Sequence, residues 1–348
     1  MILSELPLPP FYDPDKVGHI WRVPYEERAV QAVEWAKQYH IQPAARDQVK
    51  IAFVAIDVQI AFCIPGGELF VGGYSGLDAV ADNHRLCSFL YRNIGRITHI
   101  SATLDTHQAL QIFHGIFFVN DQDQHPQPYS LITYEDIITG RWKFNPLVAE
   151  SLHMDPAYVQ QHLLHYTRSL KVSGKYDLTI WPYHVMLGGI GHAFVPAFEE
   201  AVFFHTIARD SQPDFVTKGQ HPLTEHYSVI GPEVMDGPDG EPLATRNAKF
   251  IQMVQDYDIV IMTGQAKSHC LSWTVDDLLM DIQSSDPALA HKVYLLEDTT
   301  SPIVVPGVVD YGPEAAAAFH RFSQKGVHLV NTIEPMENWP GVREIIDQ

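Results

Sequence analysis

The stretch KIAFVAID at residues 50–57 decides the fold. It is a nearly continuous run of apolar and β-branched residues, which is typical of a central parallel strand buried on both faces of a sheet. A glycine-rich loop follows, then a predicted amphipathic helix at 77–94 and a second strand at 97–104 that leads into Asp105. This order is a βαβ unit, so the sequence predicts a doubly wound α/β fold.

The rest of the chain continues this alternation after one long interruption. We predict an N-terminal arm at 1–49 with a helix near 25–39, and one α/β domain at 50–348 with a mostly parallel sheet and helices on both faces. The segment at about 115–176, rich in Gln, Tyr, His and Pro, is predicted to be an insertion. The further predicted elements are helix 156–170, strand 178–181, helix 195–208, strand 214–217, helix 244–256, strand 258–263, helix 269–282, strand 292–296, helix 313–325 and strand 327–332.

Composition excludes several classes of protein. The chain has 348 residues, 46% hydrophobic and 19% charged, which is enough apolar material for a packed core. Lys and Arg number 23 against 42 Asp and Glu, a formal charge of -19. Such a surface repels phosphates and anionic lipids, so we expect neither a nucleic-acid nor a membrane partner.

The cysteines and the N-terminus indicate a compartment. Cys63, Cys87 and Cys270 offer neither a disulfide framework nor a CxxC zinc site, which fits a reducing environment. The first residues lack the basic and apolar regions of a signal peptide, and the most apolar stretch, 51–62, is too short to span a bilayer. We therefore expect a cytoplasmic protein.

Three residues that follow predicted strands or turns have side chains suited to covalent catalysis. Cys270 lies at a strand-to-helix turn, where the helix dipole is expected to lower the pKa of the thiol; the alternative is a buried structural cysteine. Asp57 ends the first strand and could instead be a loop cap. Lys218 ends a later strand and could be an ordinary solvated lysine. Together they provide the nucleophile, acid/base carboxylate and cation that a cysteine amidase needs.

A second group of residues suggests a metal site. Asp105 and His107 are two positions apart at a strand end, so both side chains can face the same side. His184 lies beyond the insertion, and His114 is seven residues after His107. One carboxylate with two or three imidazoles suits a divalent transition metal. The chain has 19 histidines, so a chance pairing is the alternative.

The sequence resembles the nicotinamidase branch of the isochorismatase-like cysteine hydrolases. The resemblance spans nearly the whole α/β domain, and its WPxH, KG and AxxHC elements are specific only in combination. The matching segments are AIDVQIAFCIPGGEL (55–69), TLDTH (103–107), TIWPYHVMLGGIGHAFVP (179–196), VTKGQHPLTEHYS (216–228), IMTGQAKSHC (261–270) and LLEDTTSP (295–302).

The resemblance implies roles for the residues singled out above. It implies an isochorismatase-like hydrolase fold and a cis peptide between Gln265 and Ala266. The implied site consists of the catalytic triad Asp57, Lys218 and Cys270; the oxyanion-hole amides of Ala266 and Cys270; the substrate contacts Phe62, Trp181, Tyr227 and Gln265; and the metal ligands Asp105, His107 and His184, with His114 as a possible fourth.

Departures from the family pattern leave the substrate open. Ile60-Ala61 replaces a polar pair, Val185 replaces a cysteine, and the insertion lengthens the chain between two motifs. We expect hydrolysis of nicotinamide to nicotinate and ammonia, with one divalent metal ion, zinc before iron or manganese. The alternatives are an amidase for another small carboxamide or carbamoyl compound, an isochorismatase, or a non-catalytic metal-dependent binding protein. A homo-oligomer is also possible.

Overall fold

The computed structural model describes residues 5–346. Its strands are β1 Ile51–Ile56, β2 His99–Asp105, β3 Phe118–Val119, β4 Leu131–Ile132, β5 Lys143–Phe144, β6 Leu178–Thr179, β7 Asp214–Lys218, β8 Ile259–Gly264, β9 Val293–Leu296, β10 Val304–Val305, β11 Val309–Asp310 and β12 His328–Val330. Its α-helices are α1 Tyr25–Gln38, α2 Ile60–Cys63, α3 Asp78–Arg92, α4 Tyr134–Ile138, α5 Pro146–Leu152, α6 Pro156–Ser173, α7 Pro196–Arg209, α8 Ala248–Asp256, α9 Cys270–Ser285, α10 Gly312–Gln324 and α11 Val342–Ile346.

The central sheet has six parallel strands in the order β12-β9-β8-β1-β2-β7. From β1 the chain proceeds to β2 and β7 on one side, and from β8 it proceeds to β9 and β12 on the other. Because such crossovers are right-handed, the two directions place α3 and α7 on one face and α9 and α10 on the opposite face. The direction reverses between β1 and β8, and open α/β sheets bind ligands at the carboxyl ends of the strands at such a switch point.

The predicted α/β class and parallel sheet are confirmed. Every residue of β1 is buried, as the uninterrupted apolar run predicted. Helix α3 turns one face toward the core, where Ala79, Leu86 and Leu90 lie at helical spacing. Helix α6 begins after Asp155, whose carboxylate accepts from the N–H of Ala157, and it carries proline at its first position.

One predicted strand of the central sheet is wrong. Residues 178–181 do not join it: only Leu178–Thr179 are extended, and they pair antiparallel with Leu131–Ile132 of the inserted segment. The run is apolar and buried although it lies outside the central sheet. Pro182, which has no N–H to donate, follows it at once. Helix α8 also begins later than predicted, because the side chain of Asn247 caps it by accepting from the N–H of Phe250.

Residues in the segments 5–49 and 115–176 pack against elements of the central sheet and the helices around it. Helix α1 lies along α7, and Arg28 Nε is 2.6 Å from Glu200 Oε1 in a buried ion pair. In the insertion, the Tyr166 hydroxyl accepts from the N–H of Glu225, so α6 supports the loop that follows β7. None of the helices within residues 5–346 has the length and apolar character needed to cross a bilayer.

Candidate active site

The structure brings Asp57, Lys218 and Cys270 together at the carboxyl ends of β1, β7 and β8. Lys218 Nζ lies 2.9 Å from Asp57 Oδ2 and 3.5 Å from Cys270 Sγ. All three side chains are buried. The same ammonium group donates to the backbone carbonyl of His226, at 3.0 Å, so its position is held by several partners at once.

Burial controls the protonation of this cluster. It raises the pKa of the Cys270 thiol well above its usual value, against the opposing effect of Lys218, and the nearby Asp57 and Asp105 raise it further. The sequence-based expectation of a lowered thiol pKa is therefore wrong, because burial beside two carboxylates outweighs the helix terminus. The pKa of Lys218 is raised above its usual value by Asp105 and Asp57 despite its burial, which keeps the ammonium charged.

Three buried polar side chains to which the sequence analysis gave no role lie in or beside the cluster. Thr103 on β2 donates to Asp57 Oδ1 at 2.5 Å and accepts from the Asp57 N–H at 3.0 Å. Gln59 accepts from the N–H of Asp105 and donates to its carbonyl, which fixes the end of β2. Glu225 is a buried carboxyl whose pKa is raised by that burial. The signal for these residues was their polarity within or beside apolar runs.

His107, His114 and His184 form a group suited to a metal ion, their ligand atoms lying within 4.8 Å of one another. His114 Nδ1 is 3.1 Å from the carbonyl of Ala109, and His184 Nδ1 is 2.7 Å from that of Pro182. Each Nδ1 must carry the proton, which leaves Nε2 as a lone-pair donor. Burial lowers the pKa of His184 to about 3 and that of His114 to about 4, so both rings are neutral. The donor set fits a divalent transition metal.

Asp105 lies between this histidine group and the nucleophile cluster. Its Oδ2 is 3.0 Å from His107 Nε2, and its Oδ1 is 3.0 Å from Lys218 Nζ. Gly219 makes room for this arrangement: at its φ of +83° a Cβ atom would lie 2.5 Å from Asp105 Oδ1 and 3.0 Å from the His107 ring. Any larger residue there would displace both side chains.

The turn between β8 and α9 carries the two amides predicted as an oxyanion hole. The peptide bond between Gln265 and Ala266 is cis, as the resemblance implied. The N–H groups of Gln265 and Lys267 donate to carbonyls on neighbouring segments, those of Ile56 and Ser301. Cys270 is the first residue of α9, where a backbone N–H has no partner within the helix.

The four predicted substrate contacts line one small pocket beside Cys270. Trp181 Nε1 donates to the Tyr227 hydroxyl at 2.9 Å, which orients both rings. Phe62 also lines the pocket and meets His184 edge-on, with ring centroids 5.5 Å apart. The full lining is Phe62, Leu69, Asp105, Trp181, His184, Glu225, Tyr227, Gln265, Ala266, His269, Cys270 and Ile303.

Gln265 lines the pocket, but its side-chain amide is hydrogen-bonded to other parts of the protein. Its side-chain N–H donates to Asp82 Oδ2 at 2.9 Å, and its carbonyl oxygen accepts from the N–H of Ser301. Its amide is thus engaged in holding the turn to α3 and to the segment after β9. Sequence reasoning also passed over His269, which lines the pocket next to the nucleophile; the signal was its place directly before Cys270.

The α/β fold with its six-stranded parallel sheet is shared by solved nicotinamidases. The yeast nicotinamidase Pnc1p bound to the inhibitor nicotinaldehyde is similar at 16% identity over 81% of this chain and 99% of that chain, with a TM-score of 0.50. A nicotinamidase/pyrazinamidase from Acinetobacter baumanii is 19% identical over 82% of this chain and 99% of its own, with a TM-score of 0.48. No family model matches the chain, and no curated protein matches it by sequence. At 16% identity the likeness to the yeast protein shows the fold alone.

Proposed function

We propose that the chain is a metal-containing cysteine amidohydrolase that converts a small ring carboxamide, nicotinamide first, to its carboxylic acid and ammonia. The observation that carries the proposal is the contact of one buried ammonium group with both a carboxylate and a thiol, Lys218 with Asp57 and Cys270, at the wall of an aromatic pocket. The fold shared with solved nicotinamidases supports it.

The proposed reaction uses the groups as the pocket arranges them. Asp57 takes the proton from the Cys270 thiol, because the thiol is neutral at rest. The sulfur attacks the carboxamide carbon, and the backbone amides of Ala266 and Cys270 donate to the oxyanion that forms. Asp57 then returns the proton to the nitrogen, the C–N bond breaks, and ammonia leaves a thioester on Cys270.

The second half of the reaction regenerates the thiol. Asp57 accepts a proton from a water molecule, whose oxygen attacks the thioester carbon. The C–S bond breaks, the carboxylic acid leaves, and Asp57 returns the proton to the sulfur of Cys270. Lys218 balances the negative charge of whichever partner is ionised, thiolate or carboxylate.

A divalent cation held by His107, His114 and His184, with Asp105 beside them, would supply a Lewis acid that holds a ring heteroatom of the substrate. Zinc is the first candidate, since three imidazoles suit it, and iron and manganese are the alternatives. Phe62, Trp181 and Tyr227 are proposed to hold the ring. The protein is proposed to act in the cytoplasm on a small amide, alone or as a homo-oligomer.

The test is ammonia release from a panel of small amides with the purified protein and its Cys270→Ala variant. We expect turnover of nicotinamide above that of linear carbamoyl compounds, and a loss on the order of 10³-fold or more in the variant. Cys87→Ala, which removes a buried thiol of α3 outside the pocket, should retain activity. Near-normal ammonia release by Cys270→Ala would rule out the thioester route.

A further inference from the structure

The pocket beside Cys270 is closed in this structure. Each of its twelve lining residues is at most 9% exposed. The free volume inside is about 30 Å³, which is room for about two water molecules at roughly 10–15 Å³ each. Pockets that bind small molecules have about 300 Å³ or more. A ring carboxamide therefore reaches the thiol only after part of the wall has moved.

Two apolar residues of the wall lie on loops outside the central sheet. Most of the wall is held by the strand ends, by α9 and by the hydrogen bonds described above. Leu69, in contrast, belongs to the loop 64–77 between α2 and α3, and Ile303 begins the hairpin 303–311 that contains β10 and β11. We refer to these two segments as the entry loop and the entry hairpin.

The entry hairpin is anchored at its base and exposed at its tip. At the base, the N–H of Ile303 donates to Ser268 Oγ at 3.1 Å, and the ring of Tyr311 lies against His269, with ring centroids 4.6 Å apart. Its two strands pair with each other and not with the central sheet, and residues 306–308 at the tip are exposed. A tilt about the base would thus break no bond of the central sheet.

One hydrogen bond ties the entry hairpin to the entry loop. The Tyr74 hydroxyl donates to Asp310 Oδ1 at 3.0 Å, and among residues 5–346 this is the one hydrogen bond that joins the two segments. Gly312 leaves room for it, because a Cβ atom there would lie 1.7 Å from the Tyr74 hydroxyl oxygen. Tyr74 is 66% exposed, so water can replace the bond at low cost when it breaks.

We propose that the bond between Tyr74 and Asp310 is the latch of a gate. When it breaks, the entry loop and the entry hairpin part, and a small amide passes between Leu69 and Ile303 to the thiol of Cys270. The inference rests on the proposed function only for the identity of the molecule that enters. Because the latch joins surface residues outside the catalytic cluster, its loss changes the rate of entry and not the chemistry.

The test measures access to Cys270 with iodoacetamide, a small carboxamide whose iodide the sulfur displaces. The folded protein is labelled at fixed pH, and alkylation of each cysteine is followed by mass spectrometry. When the gate closes faster than the reagent reacts, the labelling rate is proportional to the open fraction. We expect Tyr74→Phe, which keeps the ring and loses the donor, to label Cys270 about 2–12-fold faster, the effect of one hydrogen bond.

Three controls accompany this variant. Asp310→Asn keeps an acceptor oxygen and should label at the wild-type rate. Tyr158→Phe removes a similar bond away from the gate, from the Tyr158 hydroxyl to Asp239 Oδ1 at 3.3 Å, and should also leave the rate unchanged. Cys87, buried in α3 outside the pocket, reports any general loosening of the protein in the same sample.

Equal labelling of Cys270 in the wild-type protein and Tyr74→Phe would overturn the inference, and so would an equal rise in Tyr158→Phe or a parallel rise at Cys87. A Cys270 that stays unlabelled in both proteins would overturn it as well, because a gate that opens exposes the thiol. If labelling rises as expected but no amide is hydrolysed, the gate stands and the proposed function fails. If ammonia is released but labelling is equal, the inference fails and the proposed function stands.

Discussion

Asp105 and Lys218 are register partners at the ends of the adjacent parallel strands β2 and β7, and their side chains form a buried ion pair with 3.0 Å between Oδ1 and Nζ. The other oxygen of the same carboxylate lies 3.0 Å from His107 Nε2. A single side chain therefore joins the histidine group to the cluster around the nucleophile. We therefore expect a change at either group to affect the other through this carboxylate.

Asp105→Asn should impair both halves of the site. The neutral amide gives Lys218 less charge compensation and is a weaker metal ligand than a carboxylate, so we expect kcat/KM for the best amide to fall about 10–100-fold or more. Metal content after dialysis should fall as well. Asp214→Asn, at the exposed start of the same strand β7, is the matched control and should change neither quantity. Loss of activity with full metal content would show that Asp105 acts only through Lys218.

Replacing Lys218 should lower stability as well as activity. Lys218→Met removes the positive charge from between the buried carboxylates of Asp57 and Asp105. Breaking a buried pair by deleting one partner costs about 3–5 kcal/mol, because the remaining charge is left uncompensated. Urea denaturation at neutral pH measures the free energy of unfolding. Lys267→Met, which breaks a partly exposed pair with Glu297, should cost less than about 1 kcal/mol. Equal costs for the two variants would contradict the charge argument.

The histidine group should account for the metal bound by the purified protein. His184→Ala and His114→Ala are each expected to lower metal affinity by about 10-fold or more, measured by metal analysis after exposure to a graded series of chelator concentrations. His162→Ala is a suitable control, because His162 is equally buried but bonds through Nε2 to the carbonyl of Leu223. Stripping the metal should abolish turnover in the wild-type protein. Full retention of metal by His184→Ala would exclude the proposed ligand set.

The sequence predicted the central sheet because the decisive runs are continuous and apolar, as in β1 and β8. It also placed Asp57, Lys218 and Cys270 correctly at one edge, since the carboxyl ends of parallel strands meet there. It failed at 178–181, where an apolar run is buried by a neighbouring insertion and not by the sheet. It gave no role to His269 or Glu225, because a single polar residue in a loop has no periodicity that indicates which side is buried, and the signals that these residues carry are weak ones.

Acid should destabilise the protein through histidines that are buried in the neutral form, and His205 on α7 offers a site far from the catalytic chemistry. Its Nε2 is 2.9 Å from the carbonyl of Ile97, and burial lowers its pKa to about 3 from an ordinary value near 6.5. Between these two values the unfolded chain binds a proton that the folded protein does not. The free energy of unfolding therefore falls as the pH is lowered through this window, by about 1 kcal/mol per pH unit for this one group.

His205→Gln tests this assignment because the glutamine amide can still donate to the carbonyl of Ile97 but does not titrate. Stability at pH 8 measures the packing cost of the substitution alone, since the histidine is neutral there in both states. Denaturation between pH 4 and pH 6 should then show a shallower loss of stability in the variant, by up to about 1 kcal/mol per pH unit. Parallel stability curves for the two proteins would mean that His205 titrates alike in the folded and unfolded states, and that the acid sensitivity comes from other buried rings such as His162, whose pKa burial lowers to about 4.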